Sequence, residues 1–151
     1  MEPGVNVERL ARLLGGERIR GWATVELERA EREVVQAHGW PPSAPAPEDS
    51  LIGAWTRIAR APDGGGTIVL LEPSTEGLLA AALARHDEGF LVDYVVVPGS
   101  LNVATSLARG EGISLSAPGT GPFGPERLVV GSRWGPHLIL AAREREPDER
   151  G

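Results

Sequence analysis

The order of strand and helix patterns constrains this chain more than any single motif, because that order repeats. After an N-terminal arm or short helix over 1–16, the sequence predicts a first β-α-β-β module over 17–73. A connecting helix over 74–89 leads to a second, β-α-β-β-β module over 90–142, and a charged tail follows over 143–151. An internal repeat is typical of a duplicated fold. We therefore expect an α+β protein built from two βαβββ-type modules.

Two predicted strands show where the sheet is buried. The first alternates, with the odd positions from Ile19 to Val25 apolar or small and most even positions from Arg20 to Glu26 polar. A period of two is typical of a strand whose faces meet different surroundings. Residues 90–97 form the most apolar run in the chain, which is typical of a central strand.

Two segments rich in proline and glycine are predicted as loops. Residues 40–47 contain four prolines, which donate no ladder hydrogen bonds. Residues 117–125 predict either a lid or a simple connector. Strands over 51–60 and 67–71 form a hairpin between these loops. The first module therefore either lacks one short strand or carries it within the proline-rich segment.

Composition excludes several kinds of chemistry. The chain has no cysteine, so disulfides, thiolate catalysis and cysteine-bound metals are excluded. All fifteen basic residues are arginine, which excludes a Schiff-base or phosphate-loop lysine. A net charge of −6 with scattered arginines argues against nucleic acid. With no apolar run of membrane-spanning length and no signal-peptide pattern, we expect no membrane partner and a cytoplasmic location.

Asp93 is the first candidate for a catalytic residue, because it interrupts the most apolar strand. A buried carboxylate needs a partner or a function, since an unpaired buried charge costs several kcal/mol. It either pairs with Arg57 or Arg20, or it serves as a general base in a cleft. The neighbouring Tyr94 points to the opposite face, where we expect it to pack under a helix and bond a backbone group.

Other candidates each have a structural alternative. His137 suits proton transfer near neutral pH, or it is a structural histidine. Arg57 beside Trp55 either holds an anionic ligand or lies on a solvated strand face. Glu26 either contacts a ligand or favours the start of the next helix by its charge. The full set of candidate ligand-binding residues is Trp22, Thr24, Glu26, Trp55, Phe123 and Trp134.

Five segments in this order resemble one known family. They are Val25–Ala30, Ile68–Pro73, Leu79–Arg85, Glu88–Phe90 and Gly135–Leu140. Over about residues 17–142 the chain resembles the vicinal oxygen chelate superfamily, which includes glyoxalase I, methylmalonyl-CoA epimerase and the bleomycin-resistance proteins. The resemblance implies a curved mixed sheet of two modules around a cleft, and a homodimer.

The same resemblance implies a divalent metal held by one side chain from each of four strands. The matching positions here fall near Arg20 or Trp22, at Val69, near Val92 or Asp93, and near Leu140. Of these, only Asp93 could bind a hard cation, and one carboxylate does not satisfy an ion that takes four or more ligands. We therefore expect no metal and no cofactor.

These observations favour a metal-independent, glyoxalase-like protein that binds or converts a small carbonyl-bearing molecule between its modules. As an enzyme it would abstract a proton beside the carbonyl, with Asp93 as base and Arg57 or His137 stabilising the oxyanion. One alternative is a non-catalytic interaction or dimerisation module with a filled cleft. Another is a ferredoxin-like α+β barrel that works as a cofactor-free enzyme. A cavity lined by Asp93, Trp22 and Trp55 would favour the first hypothesis, and a filled cleft the second.

Overall fold

The computed structural model describes residues 6–131 and 136–143. In chain order its elements are α1 (Val7–Leu14), β1 (Glu17–Ala23), α2 (Leu27–Ala30), β2 (Ala44–Asp49), β3 (Ala54–Arg60), β4 (Thr67–Pro73), α3 (Leu78–His86), β5 (Gly89–Val97), α4 (Leu101–Gly110), β6 (Gly119–Gly121), β7 (Gly124–Leu128) and β8 (His137–Ala142). Helix α2 continues as a π-helical turn over Glu31–Val35 and a 3₁₀ turn over Gln36–His38. Within the described part of the chain, no helix is long and apolar enough to cross a membrane.

The eight strands in the described part of the chain belong to one curved, nearly closed mixed sheet in the order β2-β3-β4-β1-β5-β8-β7-β6. β1 and β5 lie antiparallel at its centre, and each pairs in parallel with the last strand of its own half, β4 or β8. Each half thus runs β-α-β-β-β with the same pairing. The predicted α+β fold of two βαβββ modules is confirmed.

The prediction of a loop over 40–47 was wrong for its second half, which belongs to strand β2. Among the described strands, β2 lies at the edge of the sheet and pairs with β3 alone. Proline is tolerated at an edge because its missing N–H need not face a neighbouring strand. Thr56 Oγ1 donates a 2.8 Å hydrogen bond to the carbonyl of Pro47, which adds a side-chain link to the ladder. The alternative of a strand within the proline-rich segment was correct.

The predicted loop over 117–125 contains another short strand, β6, in a tight hairpin with β7. The hairpin brings β6 against the opposite edge of the sheet. Ser50 N donates to the carbonyl of Thr120 at 2.8 Å, and Thr120 N donates to Ser50 Oγ at 3.0 Å. These bonds join the two modules at a seam between β2 and β6, so this segment closes the sheet.

Apolar side chains cover most of the inner face of the sheet over the described residues. On the central strands β4, β5 and β8, the inward residues Leu71, Val92, Tyr94 and Ile139 have no exposed surface. Gly21 on β1 makes room for this packing, because a Cβ there would lie only 2.6 Å from Leu71 Cδ1. Helix α3 contributes Leu79 and Leu83 to the same cluster. Over the described residues, the inner face of the sheet therefore carries a buried core, with side chains where the sequence predicted a cleft.

Helices cover much of the outer face of the sheet. α1 and α4 pack on β5 and β8, while α2 and its continuation pack on β1, β3 and β4 through Ala30 and Val35. The Asn6 carboxamide caps α1 by accepting hydrogen bonds from the N–H groups of residues 8 and 9, and the Ser100 hydroxyl caps α4 in the same way. The central strands are therefore buried on both faces.

Candidate functional site

Asp93 lies on the outer face of the sheet, against the side of α1, and not in the enclosed space. Its carboxylate accepts two hydrogen bonds from the Arg18 guanidinium, at 3.1 Å from Nε and 3.3 Å from Nη2. Glu8 of α1 contacts the same guanidinium at 3.1 Å. The expected partner was Arg57 or Arg20, and the partner found is Arg18. This ion pair satisfies the carboxylate, which is 6% exposed.

Arg57 also lies on the outer face, where it holds the chain that enters β2. Its Nε donates to Ser43 Oγ and its Nη2 to the Ser43 carbonyl, both at 2.7 Å. Glu31 on the π-helical turn lies 3.9 Å from Arg57 Nε and accepts hydrogen bonds from Ser43. Trp55, two residues before Arg57 on β3, is 51% exposed. Arg57 therefore links the π-helical turn after α2 to strands β2 and β3.

His137 begins β8 on the inner face, in register with Val92. Burial lowers the pKa of His137, and the nearby His86 lowers it further. Because Asp93 and Arg57 are on the outer face and His137 is on the inner one, the structure does not bring the three candidate catalytic residues together. Trp134 lies outside the described residues.

Thr24 and Glu26 lie close to the carboxylate of Glu88, which was not among the candidate site residues from the sequence. Glu88 accepts hydrogen bonds from Arg29 at 2.9 and 2.7 Å, from Val25 N at 3.0 Å and from Thr24 Oγ1 at 3.1 Å. The Arg29 guanidinium, followed by the backbone N–H of Val25, lowers the pKa of Glu88 to about 2. Glu26 forms a longer ion pair with Arg29 at 3.6 Å. These contacts fix the turn between β1 and α2.

Tyr94 lies inside the sheet, in the cluster to which helix α3 contributes, but its hydroxyl bonds a side chain, so the expectation that it bonds a backbone group was wrong. Its hydroxyl donates a 2.7 Å hydrogen bond to Asp49 Oδ2, and both residues are fully buried. Asp49 Oδ1 accepts from the backbone N–H groups of Leu51 and Ile52 at 3.1 and 3.3 Å. The candidate Phe123 packs edge-on against the Tyr94 ring, with 5.5 Å between centroids.

Glu126 of β7 completes this group, which we call the buried acid cluster: Asp49, Tyr94 and Glu126. Burial, reinforced by the neighbouring Asp49 carboxylate, raises the pKa of Glu126 to about 10. Glu126 is therefore protonated near neutral pH, while Asp49 accepts hydrogen bonds from Tyr94 and from two backbone N–H groups. Gly121 is in contact with both acids, since a Cβ there would lie 2.6 Å from Glu126 Cδ and 2.9 Å from Asp49 Oδ2. The cluster lies where β2, β6 and β7 meet.

On the four central strands, the middle of the described inner face is occupied by residues without metal-ligand atoms, and His137 lies at its end. Gly21, Val69, Val92 and Ile139 occupy the inner face of the four central strands. Such side chains offer no ligand atoms. Over residues 6–131 and 136–143, no three histidine or acidic side chains are grouped so that they could hold a metal ion.

A pocket of about 490 Å³ opens on the outer face, between the helical segment after α2 and strands β1, β4 and β5. We call it the aromatic pocket; its lining is Trp22, Trp40, Phe90, Val34, Ile68, Glu33 and His38. Trp22 and Phe90 meet edge to face with 5.0 Å between ring centroids, and all three aromatic side chains are half-buried. This volume lies within the usual range for small-molecule sites.

The local fold explains why these rings come together. Trp22 and Phe90 are register partners on β1 and β5, next to a β-bulge in that pairing. The opposite wall is the π-helical turn, a distortion found frequently at functional sites, and Gly39 with φ 78° redirects the chain so that Trp40 returns to the sheet. Sequence reasoning selected Trp22 but missed Trp40 and Phe90. The Gly39-Trp40 pair after a predicted helix was the available signal.

Comparison with solved structures places the fold among known proteins. Methylmalonyl-CoA epimerase from Mycobacterium tuberculosis matches with a TM-score of 0.74 and 18% identity, covering 88% of this chain and 91% of that one. A hypothetical protein from Bacillus halodurans matches at 0.70 and 17%, covering 85% and 94%. A Streptomyces coelicolor methylmalonyl-CoA epimerase variant in complex with 2-nitronate-propionyl-CoA matches at 0.69 and 17%, covering 84% and 96%.

No protein-family model and no curated protein matches the chain. The epimerases belong to the vicinal oxygen chelate superfamily, so the structural neighbours agree with the resemblance seen in the sequence. At this level of identity, the likeness establishes the glyoxalase-like fold.

Proposed function

We propose that this protein is a metal-independent binding protein with a glyoxalase-like fold, and that it holds a small organic molecule in the aromatic pocket. The observation that carries the proposal is the meeting of Trp22, Trp40 and Phe90 around a cavity of about 490 Å³. Aromatic walls provide a large apolar contact area with defined geometry. Neighbours of the same fold are epimerases crystallised with CoA esters, which supports small molecules as the class of ligand.

The binding site that we expected from the sequence, a cleft between the modules for a carbonyl-bearing molecule, has less support. Its place is taken by buried side chains such as Leu71 and Ile139. The candidate base Asp93 is held by Arg18, and Arg57 is held by Ser43. A general base must reach the proton that it removes. We therefore favour binding over proton abstraction.

The buried core on the described inner face also supports a second candidate, an interaction or dimerisation module. Helix α4 exposes Val103 and Leu107, 61% and 48% exposed, one turn apart on its surface. If this face joins two copies, Val103→Glu should convert a dimer to a monomer in sedimentation measurements. A parent protein that sediments as a monomer at every concentration would remove this candidate. A homodimer and a cytoplasmic location both remain predictions.

A neutral aromatic probe tests the aromatic pocket. We expect 2-naphthalenemethanol to shift the indole N–H resonances of Trp22 and Trp40 in NMR titrations, and Trp22→Ala to weaken its binding about tenfold or more through loss of a pocket wall. Trp55→Ala is the matched control, because it removes an exposed tryptophan outside the pocket. Thermal melts verify that both variants fold. Equal affinity in both would contradict the proposal.

Metal independence has its own test. Dialysis against EDTA should leave both the melting temperature and the affinity for 2-naphthalenemethanol unchanged, because the described interior offers no ligand set. Metal analysis of the purified protein should find far less than one bound ion per chain. About one tightly held ion per chain, with a loss of stability on chelation, would refute the metal-independent proposal.

A further inference from the structure

Arg20 lies at the edge of the aromatic pocket and has no ionic partner among the described residues. Its guanidinium carbon is 3.8 Å from the centre of the Phe90 ring, a cation–π contact. In the register of the sheet it is beside Ile68, which lines the pocket, and two residues before Trp22. Among the residues that the structure describes, Arg20 makes no ion pair and no side-chain hydrogen bond. A ring therefore holds this cation in place, and no residue that the structure describes bonds its donors.

The acidic groups near Arg20 have cationic partners of their own. Asp93 is the register partner of Arg20 on β5, but its carboxylate is bonded to Arg18. Glu33, on the opposite wall of the pocket, lies 3.7 Å from Arg29. Of the described charged groups discussed at this site, Arg20 is thus the one without a counter-charge.

The chemistry of guanidinium indicates what such a site recognises. Its planar set of N–H donors matches the two oxygens of a carboxylate, and such charge-assisted bonds are stronger than neutral ones. Stacking on Phe90 holds the plane of the group, so less side-chain freedom is lost when an anion binds. The adjoining rings of Trp22 and Trp40 suit a flat apolar body.

We infer that the ligand of the aromatic pocket is a flat aromatic carboxylate, with its ring system between Trp22 and Trp40 and its carboxylate on Arg20. This inference rests on the proposed binding function and adds the chemical class of the ligand. His38 is on the same rim, but its Nδ1 is already bonded to the carbonyl of Val34 at 3.0 Å. Arg20 is therefore the residue that we expect to select for an anion.

The test compares three probes that share one ring system: 2-naphthoate, neutral 2-naphthalenemethanol and cationic 2-naphthylmethylammonium. We expect calorimetry at low ionic strength to show 2-naphthoate binding about tenfold more tightly than the alcohol, and the ammonium probe most weakly. In Arg20→Gln the carboxylate preference should disappear while affinity for the alcohol is kept. Arg109→Gln, an exposed arginine on α4, is the control for the change in net charge and should keep the preference.

The outcomes separate this inference from the proposed function. If the alcohol binds and depends on Trp22, but the carboxylate gains nothing or Arg20→Gln keeps the preference, the pocket is a binding site and the inference is wrong. A preference for the ammonium probe would also overturn it, with Glu33 then the recognising charge. If no probe binds, the proposed function fails and this inference fails with it.

Discussion

The Glu126→Gln variant is expected to be more stable than the parent protein above neutral pH, with a free energy of unfolding that depends much less on pH. Glu126 is fully buried and its pKa is raised to about 10, first by burial and then by Asp49. Glutamine has nearly the same shape and no proton to lose. The substitution therefore removes the titration while keeping the packing at the seam between β2 and β6.

The free energy of unfolding of the parent protein falls as the pH rises because of proton linkage. Between the ordinary glutamate pKa near 4.5 and the folded-state value of about 10, the folded protein binds one proton that the unfolded chain has released. The stability contributed by that proton is complete below pH 4.5, declines across this window by up to about 1.4 kcal/mol per pH unit, and is absent above pH 10. The parent should lose at least about 2 kcal/mol relative to the variant between pH 5 and pH 9.

Urea unfolding followed at pH 5, 7 and 9 measures this difference. Glu76→Gln serves as the matched control, because Glu76 is exposed and its substitution should leave the pH dependence of the parent in place. Parallel curves for the parent and Glu126→Gln across the whole range would show that Glu126 is not held protonated in the folded protein.

Asp49→Ala is expected to destabilise the fold more than any other single substitution considered for this chain. It removes the acceptor for the Tyr94 hydroxyl and for the N–H groups of Leu51 and Ile52, all three lying within 3.3 Å of the carboxylate. Buried donors left without an acceptor cost about 1–3 kcal/mol each, and part of the loss is recovered by relaxation or entry of water. We expect a loss of about 3–5 kcal/mol.

Asp63→Ala is the matched control for this prediction. Asp63 also accepts a backbone hydrogen bond, from Gly65 N at 2.8 Å, but in an exposed turn where water can replace it. Its loss should cost about 1 kcal/mol or less. Thermal and urea unfolding of both variants give the comparison. A similar, small cost for both substitutions would mean that the buried acid cluster contributes little to stability.

The sequence made most of the fold predictable, because the information is local. Strand β1 alternates in the predicted phase, with Ile19, Gly21 and Ala23 buried and Arg18 and Arg20 exposed. The apolar strand β5 is central, and the turn over Asp63–Gly66 joins β3 to β4 as predicted. The sequence predicted loops where the structure has strands β2 and β6. Both are rich in proline or glycine, and each is an edge strand that pairs with one neighbouring strand and contacts the other at the seam.

The candidate site was less predictable, because alternation separates two faces without showing which one is enclosed. The polar and aromatic residues Arg20, Trp22 and Asp93 share a face, as the alternation requires, and we assigned that face to the cleft. The structure puts it on the outside, where helices and ion pairs cover part of it. Burial on both sides of the sheet removes the usual distinction between a wet and a dry face.

The sequence alone determined the duplicated order of elements and the phase of the central strands, since both depend on residues close together along the chain. Tertiary structure decided the rest. Tyr94 and Asp49 are 45 residues apart and meet only when the sheet closes, and the aromatic pocket exists only where a π-helical turn lies against a bulged strand pair. Contacts between distant segments depend on how the sheet curves, which no local pattern of residues encodes.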